Sequence, residues 1–326
     1  MLAIMLSMGM AASTPGPWCL LSAQEGGTSL LIMSPDGRWR GEVEIGPRPH
    51  EVEVSPDRKT AWVSQFGITD YDSRIGTPGR YVVEVDLKAG RATRRFELPG
   101  GLAAPHGVKL RPGKRELFVN AEVGGDMMLV YDRLSKQVLR RFGLIKGAHN
   151  FIFSRDGGVL FVFAGAEGVA KYDASTGQLL AQRRFDGPVR GLRLTRGGEV
   201  AAASNGVVLV LDPGTLVPRR TMRAPDAGQL VYLETLADGS IVAPSQANGG
   251  VFRFGPGGEG RFIATGKTPI NVRQGPDGQL YVANVDDDHL TVMSQSGASV
   301  RQIGKIDGPN GLGFGACPAR PGKRRH

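Results

Sequence analysis

The chain has 326 residues, of which 48 are glycine and 21 are proline, and it carries a formal net charge of +9. Its length would allow two domains, but a motif that recurs along the whole chain excludes that division. Abundant glycine and proline favour a fold made of turns, and no segment keeps the 3.6-residue apolar period of a helix, which excludes a mainly helical protein.

The chain opens with an uncharged apolar run, Leu2–Ala12. This run is too short to span a bilayer, which takes about 20 residues. It resembles the apolar core of a secretory signal, and Ala11, Ala12 and Ser13 supply small residues for cleavage. We therefore predict a signal segment at 1–13 and a periplasmic or secreted protein. The alternative is a cytoplasmic protein whose apolar N-terminus is not a signal.

One motif organises the rest of the chain, and its first copy spans Gly46–Gln65. It predicts two strands, Glu51–Val54 and Thr60–Ser64, because their apolar residues alternate with a period of two. A Ser-Pro-Asp turn joins the two strands. We call the position of His50, seven residues before Asp57, the slot.

The slot recurs six more times, and apart from a longer first interval the spacing is about 40 residues, the length of one four-stranded propeller blade. Most units also carry an apolar strand that ends in Asp and then a more polar strand. The sequence therefore predicts an all-β, seven-bladed β-propeller with four-stranded antiparallel blades. The six later slot residues are His106, His149, Arg190, Val231, Ile270 and Asn310.

The two ends of the chain together supply one blade. Trp18–Gln24, Ser29–Met33 and Trp39–Ile45 read as the second, third and fourth strands of a blade that lacks its first strand, and Gly311–Gly315 reads as a first strand with nothing after it. A split blade of this kind leaves no open ring edge. We predict a single propeller domain at 18–317, followed by a basic disordered tail at 318–326.

Aligning the repeats places Cys317 in the turn between the first two strands of this split blade and Cys19 at the start of the second strand, two positions apart in an intact repeat. That separation suits a disulfide, which would imply an oxidising compartment. The alternative is a pair of buried free thiols.

The pattern P-H-x-V-x-[VL]-x-P-[DG], followed by an apolar strand, resembles the YVTN-repeat, YncE-like seven-bladed propellers and covers nearly the whole chain. The resemblance implies the fold and no particular activity, because such propellers host many functions. The Pro-His-Gly motif that ends at Gly107 also resembles one found in streptogramin lyases.

Three consecutive slots hold histidine, near the mouth of the predicted channel. His50, His106 and His149 could bind a divalent transition metal such as Zn²⁺ and leave a coordination position for water. Glu122 could act as a fourth ligand of that metal or as a general base. An alternative is a hydrolase or lyase, lactonase-like in its chemistry, that uses His106 and Glu122 with Arg190 as an oxyanion stabiliser. A purely structural alternative is that each imidazole forms hydrogen bonds with nearby backbone groups.

Polar residues on the same face complete the predicted ligand site. Asn310, Gln65, Asn284 and Tyr71 are candidate ligand-binding residues, and Tyr71 lies on a long loop, Phe66–Arg80, that could act as a lid. Acidic loops on this face favour a small cationic ligand or the cationic segment of a protein partner. We therefore expect a binding or scaffold protein.

The fourth strands carry many arginines, such as Arg94, Arg140 and Arg219, which would form a basic belt around the disc. Such a belt could bind nucleic acid, or it could keep edge strands from pairing with other chains. No aromatic residues are interleaved for base stacking, so nucleic acid is the weaker partner. The chain has no G-x-S-x-G, H-E-x-x-H, P-loop or C-x-x-C-H motif, which leaves the enzyme classes that depend on them without support.

Overall fold

A computed structural model describes residues 18–69, 74–298 and 300–319. Its 28 strands form seven four-stranded antiparallel sheets, which confirms the predicted seven-bladed β-propeller. The predicted signal segment, Tyr71 and the tail from residue 320 onward lie outside the described residues.

Each blade contributes four strands, which we call a to d from the central channel outward. Blade 1 has β28 (Pro309–Ala316), β1 (Trp18–Gln24), β2 (Ser29–Met33) and β3 (Arg40–Glu44); blade 2 has β4 (Pro49–Val54), β5 (Thr60–Gln65), β6 (Tyr81–Asp86) and β7 (Arg91–Glu97); blade 3 has β8 (Ala103–Leu110), β9 (Glu116–Val123), β10 (Met127–Asp132) and β11 (Val138–Gly143); blade 4 has β12 (Asn150–Phe153), β13 (Val159–Phe163), β14 (Val169–Asp173) and β15 (Leu179–Arg183); blade 5 has β16 (Gly191–Leu194), β17 (Val200–Ser204), β18 (Val207–Leu211) and β19 (Pro218–Arg223); blade 6 has β20 (Glu234–Thr235), β21 (Ile241–Ser245), β22 (Gly250–Phe254) and β23 (Gly260–Ala264); blade 7 has β24 (Pro269–Gln274), β25 (Leu280–Asn284), β26 (His289–Met293) and β27 (Val300–Gly304). Two short 3₁₀ turns, Pro225–Ala227 and Val285–Asp287, complete the regular structure of the described residues.

The hydrophobic core lies between neighbouring blades, so each sheet is covered on both faces. Strands b and c are therefore mostly buried, and every residue of β2 and of β17 is buried. Strand d lies at the rim, and β15 exposes four of its five residues to solvent. Burial therefore decreases towards the rim of each blade.

The ring closes as predicted. Strand β28 pairs antiparallel with β1, with Leu20 opposite Phe314, and so completes blade 1 from the two ends of the chain. Cys19 and Cys317 form a disulfide, and their Cα atoms are 5.0 Å apart. The predicted pairing of the cysteines is thereby confirmed.

The aspartates that end several c strands cap the following turns. One carboxylate oxygen in each of Asp86, Asp132, Asp173 and Asp212 accepts hydrogen bonds from two backbone N–H groups of the c–d turn. These backbone hydrogen bonds favour the ionised form and hold the pKa of Asp132, Asp173 and Asp212 below its ordinary value.

The arginines of the rim connect one blade to the next. Arg94 of blade 2 donates to the carbonyl of Leu134 at 2.9 Å, and Arg140 of blade 3 donates to the carbonyl of Ala174 at 2.7 Å. Each acceptor lies in the c–d turn of the following blade. Several arginines of the predicted belt are therefore engaged in contacts between blades.

Glycine follows the slot residue in three blades because inner strands approach one another there. A Cβ on Gly311 would lie 2.1 Å from the carbonyl oxygen of His50, and a Cβ on Gly191 would lie 2.5 Å from the amide nitrogen of Tyr232. Each clash would be with the backbone of the next blade. Only glycine allows this spacing around the channel.

Candidate functional site

A cavity of about 240 Å³ opens at the channel mouth, on the face that carries the d–a crossings and the b–c loops. Four consecutive slots line it: His149, Arg190, Val231 and Ile270. Two of these side chains are polar and two are apolar, so the cavity has one wall of each kind. This asymmetry suits a ligand with a polar group and an apolar body. The remaining lining residues are Pro188, Gln229, Tyr232 and Gln246.

Arg190 supplies a positive charge at the rim of this cavity. Arg190 is exposed, and none of the described residues forms an ion pair or a hydrogen bond with its guanidinium group. Other arginines, such as Arg94 and Arg193, are engaged with carboxylates. A guanidinium group held at a cavity wall can bind a carboxylate or a phosphate through two parallel hydrogen bonds.

The three slot histidines form a stack beside the cavity. The ring centroids of His50 and His106 are 4.2 Å apart, and those of His106 and His149 are 4.0 Å apart. The ring of Phe66 packs edge-on against both His50 and His106. Consecutive blades thus bring the same slot into direct contact.

Glu122 lies between two of these histidines. Its Oε1 is 2.9 Å from Nδ1 of His149 and 3.7 Å from Nδ1 of His106. Nδ1 of His106 also lies 2.6 Å from the carbonyl oxygen of His149, which can only accept, so this nitrogen carries the proton. Asn120 donates to the same carbonyl at 3.0 Å and fixes its position.

The depth of the histidines differs. His106 is completely buried, whereas the His149 side chain keeps 11% of its surface exposed and lines the cavity. His149 is therefore the histidine that a bound ligand would contact. Glu122, which holds it, is the group that orients its ring.

His50 is engaged on the opposite side of the stack. Nδ2 of Asn310 donates to Nε2 of His50 at 2.9 Å and to Oε2 of Glu25 at 2.6 Å. Because an amide nitrogen only donates, Nε2 of His50 must be the acceptor. The lone pair of this nitrogen is thus used inside the fold.

Below the cavity, charged side chains fill the channel, and Tyr232 separates the two regions because it lines both. Arg193 donates twice to the carboxylate of Glu234, at 3.0 and 2.9 Å. Nζ of Lys109 lies 3.7 Å from Oε2 of Glu51. A ligand at the mouth would therefore rest on Tyr232 rather than pass through the disc.

Two glutamates of strand β4 respond differently to this channel. Burial opposes ionisation of Glu51, but the charge of Lys109 and other cationic groups outweighs it and lowers the pKa of Glu51. For Glu53, burial prevails and raises its pKa. Lys109 lowers the pKa of both carboxyl groups, so the other groups around each of them decide the difference.

The acidic residues of the b–c loops bind the adjacent d–a crossings. Asp126 accepts from the amide of Gly147 at 3.1 Å, Asp287 from that of Lys267 at 2.6 Å, and Asp288 from that of Gly308 at 3.0 Å. Burial raises the pKa of Asp126. These carboxylates hold loops in place, which leaves less of their charge for a cationic ligand.

The structure brings together His106, Glu122 and His149, and it places Arg190 on the cavity wall beside His149. Three predicted ligand-binding residues lie elsewhere. Asn310 is buried against His50 and Glu25, Asn284 is buried among Thr265, Thr291 and His289, and Gln65 accepts from the amide of Arg80. The fourth, Tyr71, lies outside the described residues.

Sequence reasoning did not select Gln229, Gln246 or Tyr232. Gln229 belongs to a d–a crossing and Gln246 to a b–c loop, and these segments vary in length and sequence between repeats. Tyr232 directly follows the slot residue Val231, and a search one position beyond each slot would have found it.

Within the described residues we find no helix with the length and apolar character that a membrane crossing requires.

No protein-family model and no curated protein matches this sequence. Solved structures do match. The Kuenenia stuttgartiensis hydrazine synthase is similar at 17% identity and a TM-score of 0.66, over 90% of this chain and 99% of that one. A functionally unknown protein from Desulfotomaculum acetoxidans is similar at 13% identity and a TM-score of 0.69, over 92% and 99% of the two chains. Likeness at this level of identity concerns the fold, and it agrees with the strand topology: the chain is a seven-bladed β-propeller.

Proposed function

We propose that this chain is an exported binding protein of the YncE-like propeller type that takes a small ligand in the cavity at its channel mouth. The observation that carries the proposal is the convergence of four slots on one cavity, including the guanidinium group of Arg190, which forms no ion pair or hydrogen bond with any described residue. Export is supported by the disulfide, because such bonds persist in oxidising compartments.

The chemistry of the wall favours an anionic group on the ligand. Arg190 would hold a carboxylate, while Val231 and Ile270 would contact an apolar body and Tyr232 would close the floor. The acidic loops of the same face favour cations only at longer range, and several of their carboxylates are occupied by backbone amides.

The test is calorimetric titration of the purified protein with benzoate, with hexanoate and with hexylamine, each alone. We expect both carboxylates to bind, and we expect Arg190→Gln to weaken this binding at least about tenfold, because the charge-assisted pair is lost. Arg141→Gln, which changes an exposed arginine of the rim, is the matched control and should leave binding unchanged.

Stronger binding of hexylamine than of either acid would contradict the anionic ligand and favour the cationic one. If the Arg190→Gln variant bound both acids as tightly as the unchanged protein does, that result would also contradict the proposal.

A hydrolase or lyase is the second candidate, and the contact between His149 and Glu122 favours it. In this reading His149 is the general base, Glu122 orients it, and Arg190 stabilises an oxyanion. The test is turnover of a panel of lactones and aryl esters by the unchanged protein and by His149→Gln. Hydrolysis that the variant loses at unchanged stability would support it, and hydrolysis equal in both proteins would defeat it.

A further inference from the structure

We infer that His106, Glu122 and His149 form a binding site for a divalent transition metal of the zinc type. One ligand atom from each residue lies within 4.8 Å of the other two. The sequence suggests three histidine ligands with Glu122 as a fourth ligand or a base, so the inference makes Glu122 a ligand and leaves His50 out. It does not depend on the proposed ligand or on its charge.

The distances within the cluster suit a metal with short bonds. Zn²⁺ binds nitrogen and oxygen at about 2.0–2.2 Å in a tetrahedral arrangement, which places neighbouring ligand atoms about 3.3 Å apart. The carboxylate oxygen of Glu122 is 2.9 Å from one imidazole nitrogen and 3.7 Å from the other, so these two distances bracket that value. Small rotations of the side chains would suffice to equalise them.

The residues around the cluster can replace the hydrogen bond that a bound metal would break. A metal at Nδ1 of His106 requires that this atom give up its proton and that the ring turn away from the carbonyl oxygen of His149, because the two atoms are only 2.6 Å apart. That carbonyl keeps the amide of Asn120 as a donor, so it is not left unsatisfied. Asn120 is itself held by the backbone N–H of Gly107, at 2.7 Å. Support of this kind around the ligands is typical of protein metal sites.

His50 does not join the set, although its ring stacks on that of His106. Its Nε2 accepts a hydrogen bond from Asn310, which in turn holds the buried Glu25. Three protein ligands leave a fourth position of the metal for water or a ligand atom, as in catalytic zinc sites. Because His149 lines the cavity, we expect that position to face it.

The experiment is a titration with Co²⁺ of the full chain after dialysis against a chelator, followed by displacement with Zn²⁺, with no organic ligand present. Tetrahedral Co²⁺ has intense visible absorption bands, which report the coordination directly. We expect one equivalent to bind with a tetrahedral spectrum that Zn²⁺ removes. Glu122→Gln should weaken binding at least about tenfold while keeping the size of the side chain.

Two variants make the result specific. His50→Gln should keep the Co²⁺ spectrum. His289→Gln, which changes a buried histidine of blade 7, is a general control and should also keep it. Absence of any Co²⁺ spectrum with the unchanged protein would overturn the inference, whatever the variants do. Loss of the spectrum in His50→Gln with full binding in Glu122→Gln would overturn it as well. The result is independent of the calorimetric test of Arg190, because the metal is titrated alone.

Discussion

Asn310 and His50 are 260 residues apart in the chain, and Nδ2 of Asn310 donates to Nε2 of His50 at 2.9 Å. The two residues occupy the same slot in blades 1 and 2. Their hydrogen bond therefore joins the strand that closes the ring to the first blade that is continuous in sequence. The amide of Asn310 also holds the buried carboxylate of Glu25.

Replacing Asn310 by alanine should destabilise the propeller. The change leaves the Glu25 carboxylate and Nε2 of His50 without this donor, and we expect a loss of about 2–3 kcal/mol in the free energy of unfolding. Urea denaturation followed by fluorescence measures it. Asn205→Ala, at an exposed loop position, is the control and should change stability by less than about 0.5 kcal/mol. Equal effects of the two substitutions would contradict the structural role of Asn310.

The adjacent rim arginines Arg140 and Arg141 should differ in their effect on stability. Arg140 donates to Glu116 at 2.6 Å and to the carbonyl of Ala174 in the next blade, and it lies over the ring of Phe118. Arg140→Met should therefore cost about 2–3 kcal/mol. Arg141 is exposed, and Arg141→Met should cost less than about 0.5 kcal/mol. Thermal unfolding of both variants decides the matter, and a larger loss for Arg141 would refute the contact between blades.

Reduction of the disulfide should weaken the fold strongly, because Cys19 and Cys317 are separated by 298 residues. In the chain-entropy model, a loop of this length corresponds to about 6 kcal/mol. The free energy of unfolding in urea should fall on addition of dithiothreitol. The double variant Cys19→Ser/Cys317→Ser should match the reduced protein and show no further response to the reductant. An unchanged midpoint after complete reduction would show that the bond contributes nothing to stability.

Glu51 and Glu53 should respond to pH with opposite signs. The pKa of Glu53 is raised by burial, so its ionisation costs folding free energy, and that cost appears as the pH rises from the unfolded value through the folded one. Glu53→Gln should stabilise the protein at pH 7 by about 1 kcal/mol. The gain should vanish as the pH falls below the ordinary glutamate value of 4.5.

Glu51 should have the opposite effect on the pH dependence of stability. Its pKa is lowered in the folded state, so the stability it adds is present above the unfolded pKa and is lost as the pH falls through the folded one. Glu51→Gln should destabilise the protein at pH 7 by about 1–3 kcal/mol, since Lys109 loses its partner. Urea titrations between pH 4 and pH 8 test both variants. The same sign for both at pH 7 would contradict the assignment.

The repeat predicts much of this architecture because equivalent positions of successive blades occupy equivalent places around the axis. Alignment alone identified the strands of the split blade and brought Cys19 next to Cys317. It also identified the slots, four of which line the cavity.

Depth inside the channel does not follow from the repeat. His106 and His149 share a slot, yet only His149 reaches the cavity, because the loops that precede strand a differ from blade to blade. The same limit applies to Gln229 and Gln246, which come from those irregular loops. The pairing of Glu122 with His149 joins two blades, so it depends on side-chain conformations across an interface that no single repeat encodes.

Blade 1 takes its innermost strand, Pro309–Ala316, from the end of the described chain and its other three strands from the beginning. During synthesis, blades 2 to 7 can form in turn, but blade 1 must wait for the last strand to leave the ribosome. Until then the disc has a gap, and the channel has no wall at Asn310. The order of synthesis therefore makes blade 1, and with it the closed ring, the last part of the molecule to be completed. A chain cut short by 20 residues would lack this strand, so its ring would stay open even though every residue that lines the cavity would already be present.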